Sequence, residues 1–301
     1  MSESTSIEWT DATWNPVTGC TKVSPGCDHC YAERISDRSR RGPFEHVQLH
    51  SERLKQPLQW RTPRMIVTCS MGDLFHSKVP WNFIGQVFDV MVEAKHHTFQ
   101  VLTKRPGRMA FWAEHMAAVC REKGLPWQWP PNVWAGTSVE SQKYAPRLDC
   151  LARVPAKVRF VSYEPALGPV DLRKWLTNPH ECNCSVTGGI HSASCLEDIP
   201  LSWLIAGGES GLGARPAHPD WFRQVRDQCQ AAGIPYFFKQ WGHWAPFVDN
   251  GPLPQNCNYV SRSGLVRIGD AEDDNDACMG RVGKKAAGAL LDGREWREMP
   301  V

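Results

Sequence analysis

The sequence lacks a strong excess of charge of either sign. Lysine and arginine together number 34 and aspartate and glutamate 32, which gives a formal net charge of +2. Charge alone therefore gives no argument for a nucleic-acid or membrane-surface partner, although a nucleic-acid substrate is allowed. No apolar run approaches a membrane span, and no basic segment leads into an apolar run at the N-terminus. We expect a cytoplasmic protein with no membrane partner.

The chain also lacks the features of a disulfide scaffold and of a nucleotide-binding loop. It has 301 residues with 42% hydrophobic content, enough to bury a sizeable core, so its 12 cysteines are expected to be reduced. Residues 280–285 lack the glycine spacing of a phosphate loop, and the glycines at 207–213 lack a preceding βαβ opening. Neither segment predicts a nucleotide site.

What the sequence does contain is a group of three cysteines near its N-terminus. Cys20, Cys27 and Cys30 are separated by six and by two residues, in a segment with proline and glycine. Such a loop can wrap around one metal centre. Because three thiolates leave an iron–sulfur cluster or a metal ion one ligand short of four, this pattern predicts a centre with an open position.

Runs rich in β-branched and aromatic residues alternate along the chain with amphipathic helical stretches. Apolar strands of this kind are buried on both faces, as in parallel sheets. We predict an α/β fold, a partial TIM-like (βα) barrel of about six to seven parallel strands with an N-terminal cluster-binding loop. The predicted strands lie near residues 13–19, 65–69, 99–102, 133–137, 158–162, 203–207 and 235–238.

The alternation predicts a barrel over residues 1–241 and an irregular extension over residues 242–301 that packs on it. An insertion at 177–200 interrupts the spacing and carries Cys182, Cys184 and Cys195. These thiols are candidate zinc ligands. Because Cys-x-Cys is a poor spacing for structural zinc, a metal-free loop is the favoured alternative.

Charged residues follow the predicted strands at their carboxyl ends, where parallel α/β folds bind ligands. Any one of them can be a solvated loop charge, but their recurrence in successive units predicts that they surround one opening together with the cysteine loop. They are Asp73, Lys104, Arg105, Glu140, Glu164, Glu209 and Lys239.

The cysteine motif resembles that of the radical S-adenosylmethionine superfamily, whose members commonly have a partial βα barrel with a three-cysteine loop after the first strand. Cys27 and Cys30 match the second half of that motif, with His29 in an aromatic position, while six residues replace the usual three after Cys20. More closely, the chain looks like a phage-associated and bacterial family of three-cysteine-motif proteins. The matching segments are residues 19–31, 71–76, 102–106, 136–140, 162–168, 206–210 and 238–242.

The resemblance implies an enzyme in which Cys20, Cys27 and Cys30 bind a 4Fe–4S cluster and S-adenosylmethionine takes the open position. Reductive cleavage would then give a 5′-deoxyadenosyl radical. An electron donor such as a flavodoxin or ferredoxin is implied, and a nucleic-acid base or a protein side chain is favoured as substrate. Glu140 and Lys239 are the catalytic candidates. The implied cofactor-binding residues are Met71, Gly72, Asp73, Lys104, Ser138, Glu140, Glu164, Gly208 and Glu209.

Two other interpretations stay open. In the first, a histidine such as His46 or His50 joins the three cysteines to complete a structural zinc site. The chain would then be a zinc-binding module for nucleic-acid or protein interaction without redox chemistry. In the second, the barrel is an ordinary hydrolase or lyase that uses Asp73, Glu164 and Glu209 as acid or base.

Overall fold

The computed structural model describes residues 5–38, 42–176, 201–247, 257–268, 271, 273 and 275–300. The insertion at 177–200, with Cys182, Cys184 and Cys195, lies outside the described residues. Zinc binding by these cysteines therefore stays a prediction.

Seven parallel strands form the central sheet, which curls into a half-barrel. Each strand pairs with the next barrel strand along the chain. The predicted partial TIM-like α/β barrel is confirmed. The strands are β1 (Ala12–Trp14), β4 (Met65–Thr68), β5 (Thr98–Thr103), β6 (Val133–Ser138), β7 (Arg159–Tyr163), β8 (Trp203–Gly207) and β9 (Tyr236–Gln240). Between β1 and β4, a short antiparallel pair is formed by β2 (Val17–Thr18) and β3 (Gln48–Leu49).

The helices that follow β4, β5, β6 and β8 bury apolar side chains in one core with residues of the barrel strands. In α2, Phe83, Val87 and Met91 recur at helical spacing and are buried. Around α6, His218 accepts the N–H of Asp220 at the start, and Gly233 ends the helix in the left-handed conformation. The helices are α1 (Tyr31–Arg38), α2 (Trp81–Glu93), α3 (Pro106–Glu122), α4 (Arg147–Ala152), α5 (Arg173–Leu176), α6 (Pro219–Ala232) and α7 (Lys284–Ala287).

Aromatic side chains fill the inner side of the half-barrel. Trp9, which precedes β1, packs against Trp203 and Phe160 with ring centroids 6.0 and 6.1 Å apart. Trp203 also contacts Phe237, and Val67 joins the same buried cluster. This buried apolar cluster leaves the carboxyl ends of the strands as the edge where parallel α/β folds bind ligands.

The C-terminal extension differs from the irregular segment that the sequence predicted. It contains a four-stranded antiparallel sheet in the order β10-β13-β11-β12 and a small β14-β15 pair. Short strands between turns show little periodicity, which explains why the pattern did not reveal them. The strands are β10 (Trp244–Pro246), β11 (Cys257–Val260), β12 (Val266–Arg267), β13 (Ala277–Arg281), β14 (Leu290–Leu291) and β15 (Arg294–Glu295).

The extension packs against the last barrel strand. The backbone N–H of Phe238 donates to the carbonyl of Trp296, and the Trp241 indole donates to the carbonyl of Leu290 at 2.8 Å.

None of the helices in the described ranges is both long enough and apolar enough to cross a membrane.

Candidate metal and cofactor site

A cavity of about 460 Å³ lies at the carboxyl ends of the barrel strands and is lined by all three N-terminal cysteines. Met71 and Glu140 are not part of its wall. A second, more open depression of about 920 Å³ beside α5 and α6 contains no cysteine among its described lining residues. The other predicted site residues in the wall of the first cavity are Gly72, Asp73, Lys104, Ser138, Glu164, Gly208, Glu209 and Lys239.

Backbone contacts fix the start of the cysteine loop, which we define as residues 19–30. Gly19 has φ +85° and donates its N–H to the carbonyl of Met71 at 2.9 Å. A Cβ at this position would lie 2.3 Å from the carbonyl oxygen of His46, so only glycine fits. The N–H of Cys20 donates to the carbonyl of Phe44. The chain therefore enters the loop in one defined direction.

The first of three carboxylate–arginine pairs lies beneath Cys20. Asp73 is buried and accepts the Thr103 hydroxyl at 2.7 Å and an Arg105 N–H at 2.8 Å. Arg105 in turn donates to the carbonyl of Thr21 at 2.9 Å and to the Cys20 sulfur at 3.4 Å. Burial raises the pKa of the Cys20 thiol and Asp73 raises it further, while Arg105 opposes both.

The second pair lies behind the middle of the loop. Glu140 is 0% exposed and accepts an N–H of Arg147 at 2.9 Å, while the Lys104 ammonium lies 3.2 Å away. The Ser24 hydroxyl of the loop donates to the same carboxylate at 2.7 Å. Gly26 lies so close that a Cβ there would be 2.5 Å from Glu140 Oε1. Glu140 therefore holds the loop from inside the protein.

The third pair holds the loop from its other side. Arg215 makes a bidentate contact with Glu209, at 2.6 and 2.8 Å. The same guanidinium donates to the carbonyl of Pro25 at 2.8 Å and lies 3.4 Å from the Asp28 carboxylate. Bidentate guanidinium–carboxylate pairs fix orientation as well as distance. Arg215 therefore sets the position of the turn that carries Cys27.

The three carboxylates, Asp73, Glu140 and Glu209, follow alternate strands β4, β6 and β8, and each acts on the cysteine loop directly or through its arginine. The sequence predicted that they contact a cofactor. The geometry also gives them a role in holding the loop, because each bonds either to an arginine that contacts the loop or, for Glu140, to the loop residue Ser24. Glu140, a catalytic candidate, lies behind the loop and outside the cavity wall.

Glu164 and Lys239 form a different kind of pair. Lys239 Nζ lies 3.1 Å from Glu164 Oε1, and their side chains are 19% and 14% exposed in the cavity wall. Ser162 donates to Glu164 at 3.3 Å, and a Cβ on Gly207 would lie 2.7 Å from the carboxylate. Within the described ranges, neither charged side chain bonds to the cysteine loop. This pair is therefore available to a ligand.

Cys20, Cys27 and Cys30 are free thiols rather than parts of disulfides. Across the residues that the structure describes, no three His, Cys, Asp or Glu side chains converge closely enough to hold a single metal ion. His46 and His50 do not line the cavity. The His50 ring contacts Thr18 and Glu52, at 2.8 and 3.2 Å.

Sequence reasoning missed three side chains that hold the loop, namely Ser24, Arg147 and Arg215. A local signal exists for two of them, since Arg147, at the start of α4, and Arg215, before α6, lie seven and six residues after Glu140 and Glu209. Nothing in the sequence marks Ser24, because its partner is 116 residues away.

The fold and site together define a partial (βα) barrel protein with three free cysteines in a cavity at the carboxyl ends of its strands. The chain belongs to the family described as "Protein of unknown function (DUF5131)", whose family model matches residues 4–300. No curated protein and no solved structure matches the chain.

Proposed function

We propose that this protein is a radical S-adenosylmethionine enzyme that holds a 4Fe–4S cluster with Cys20, Cys27 and Cys30. The observation that carries the proposal is the meeting of three free thiols in one cavity at the carboxyl edge of a half-barrel. Ligands of parallel α/β folds bind at this edge. The resemblance of the cysteine motif to the superfamily, and of the chain to the phage-associated three-cysteine-motif family, supports the same conclusion.

The proposal takes the three cysteines as ligands of a cluster rather than of a single ion. A zinc ion needs four donors converging on one point, with Zn–S distances of about 2.3 Å. No group of donors in the described part of the chain meets that requirement. In a four-iron cluster each thiolate binds a different iron, so the sulfurs can stand farther apart. Three cysteines then leave one iron without a protein ligand.

When bound, the cluster and S-adenosylmethionine supply one-electron chemistry that activates a C–H bond of the substrate. The protein's residues hold the thiols in place and shape the cavity around them. Lys104 and Ser138 line the cavity and are proposed contacts for the cofactor's carboxylate and ribose. Met71 contributes its backbone, since its carbonyl accepts the N–H of Gly19 and its N–H donates to Asn15.

The proposal extends to the partners that the resemblance implies. A flavodoxin or ferredoxin is proposed as electron donor, in the cytoplasm. A nucleic-acid base or a protein side chain is the proposed substrate class.

Anaerobic reconstitution with iron and sulfide tests the proposal. We expect a brown protein that retains about four irons per chain after desalting. Metal analysis and the visible absorption spectrum measure this directly. A colourless protein that carries stoichiometric zinc and takes up no iron would contradict the proposal and support a zinc-binding interaction module.

Replacement of Lys239 by methionine is expected to leave the cluster in place and to slow turnover. Lys239 faces the cavity and bonds to Glu164 rather than to the cysteine loop. We expect 5′-deoxyadenosine formation to fall by tenfold or more, which corresponds to about 1.4 kcal/mol of transition-state stabilisation. Lys239→Arg, which keeps the charge, should recover part of the rate. Loss of iron from Lys239→Met in parallel with activity would show that Lys239 is structural instead.

A further inference from the structure

The Arg105 guanidinium contacts a cysteine sulfur, and its position is fixed by several acceptors. One nitrogen, Nη1, donates to Asp73 Oδ2 at 2.8 Å and to Cys20 Sγ at 3.4 Å. The other, Nη2, donates to the carbonyl oxygen and to the hydroxyl of Thr21, at 2.9 and 3.1 Å. These acceptors engage both terminal nitrogens of the planar guanidinium, so its orientation towards the sulfur is set by the protein.

His76 holds one of these acceptors, the Thr21 hydroxyl. The Thr21 hydroxyl lies 2.8 Å from Nε2 of His76, a side chain that is only 2% exposed. His76 Nδ1 accepts the backbone N–H of Lys78, which assigns the ring proton to Nε2 in the neutral form. Burial lowers the pKa of His76, and the Arg105 charge lowers it further, so the neutral ring is favoured. His76 therefore donates to Thr21, whose oxygen also accepts from Arg105.

We propose that Arg105 sets the reduction potential of the cluster through its N–H bond to Cys20, and that Thr21 and His76 are positioning residues for its guanidinium. This inference rests on the proposed function. Reduction adds one electron, delivered by the external donor, and increases the negative charge on the irons and their sulfur ligands. A cationic N–H donor at a ligand sulfur stabilises the reduced form more than the oxidised form and raises the potential.

The other loop-holding arginines lack this contact in the part of the chain that the structure describes. Arg215 donates to Pro25 and Glu209 and lies near Asp28, whereas Arg147 donates to Ser138 and Glu140. Arg215 is therefore a matched control. It places a guanidinium against the same loop, paired with a carboxylate, without a bond to sulfur.

A redox titration of the reconstituted proteins, followed by electron paramagnetic resonance, tests the inference. Arg105→Gln is expected to shift the potential to more negative values by at least about 59 mV, which corresponds to a tenfold change in the equilibrium constant of a one-electron reduction. Arg215→Gln is expected to shift it by less than half as much. An unchanged potential in Arg105→Gln would overturn the inference. Equal shifts in the two variants would also overturn it, because they would show a general effect of charge rather than an effect of the bond to sulfur.

Two further variants keep the inference testable if Arg105→Gln does not retain a cluster. Arg105→Lys keeps the charge but loses the planar fork, so a smaller negative shift is expected. Thr21→Val leaves Arg105 intact but removes the hydroxyl between it and His76, and a smaller negative shift is again expected. Wild-type potentials in both variants would overturn the inference. Failure of the wild-type protein to take up iron would instead overturn the proposed function.

Discussion

Reconstituted Cys27→Ala protein is expected to be colourless and to form no 5′-deoxyadenosine. Cys27 is one of the three thiols that line the cavity, and it lies in the turn that Arg215 holds through Pro25. Two remaining thiolates would leave two irons of a four-iron cluster without protein ligands, so the cluster should not be retained. Iron analysis, the visible spectrum and chromatography of the S-adenosylmethionine products measure this loss.

Cys150→Ala is the control for this prediction. Cys150 lies in α4, outside the cavity wall, where its sulfur is near Gly107. We expect this variant to match the wild-type protein in iron content and product formation. Wild-type colour and cleavage in Cys27→Ala would show that Cys27 is not a ligand.

Replacement of Glu140 by glutamine is expected to lower the free energy of unfolding of the apo protein by about 3–5 kcal/mol, the usual cost of removing one partner from a buried ion pair. Glutamine keeps the shape of the side chain but leaves the charges of Lys104 and Arg147 without their carboxylate. The cysteine loop also loses the charged acceptor of Ser24. Urea unfolding measures the change in stability, and iron retention after desalting measures the change in the loop.

Glu114→Gln provides the matched comparison. Glu114 makes a bidentate contact with Arg153, but both side chains are about half exposed. Exposed pairs contribute at most about 1 kcal/mol, so its unfolding midpoint should stay close to that of the wild type. Similar midpoints for Glu140→Gln and Glu114→Gln would mean that Glu140 does not hold the loop.

Ser24→Ala separates the loop from the ion pair. It removes the hydroxyl that reaches Glu140 but keeps both cations on the carboxylate. We expect a loss of stability of about 1 kcal/mol, the size of one hydrogen bond. Iron loss after desalting should be faster than in the wild type. Equal iron retention would show that the contact between Ser24 and Glu140 does not position the cysteines.

The barrel strands could be predicted from the sequence because buried parallel strands appear as continuous apolar runs. β7 and β8 are buried at every position, as the runs near residues 158–162 and 203–207 indicated. The first strand was predicted less well. The predicted run at 13–19 is divided between two strands, β1 and β2. Pro16 lies between them, and proline has no N–H to donate to a sheet.

The site could be predicted only in part. Strand ends in a parallel fold meet at one edge, so the sequence correctly placed the three cysteines, Asp73 and Lys239 around one cavity. It could not distinguish the carboxylates that hold the loop from Glu164, which in the described part of the chain lines the cavity without bonding to the loop. That distinction depends on contacts such as the one between Arg215 and Pro25, which the curl of the sheet creates.

Reductive cleavage of S-adenosylmethionine by the reconstituted wild-type protein tests the central claim most directly. The protein is incubated anaerobically with the cofactor and a strong chemical reductant, and the products are separated by chromatography. We expect 5′-deoxyadenosine and methionine in equal amounts, formed only when both cluster and reductant are present. A protein that carries a full complement of iron and sulfide, yet forms no 5′-deoxyadenosine above the level of the Cys27→Ala variant, would contradict the claim.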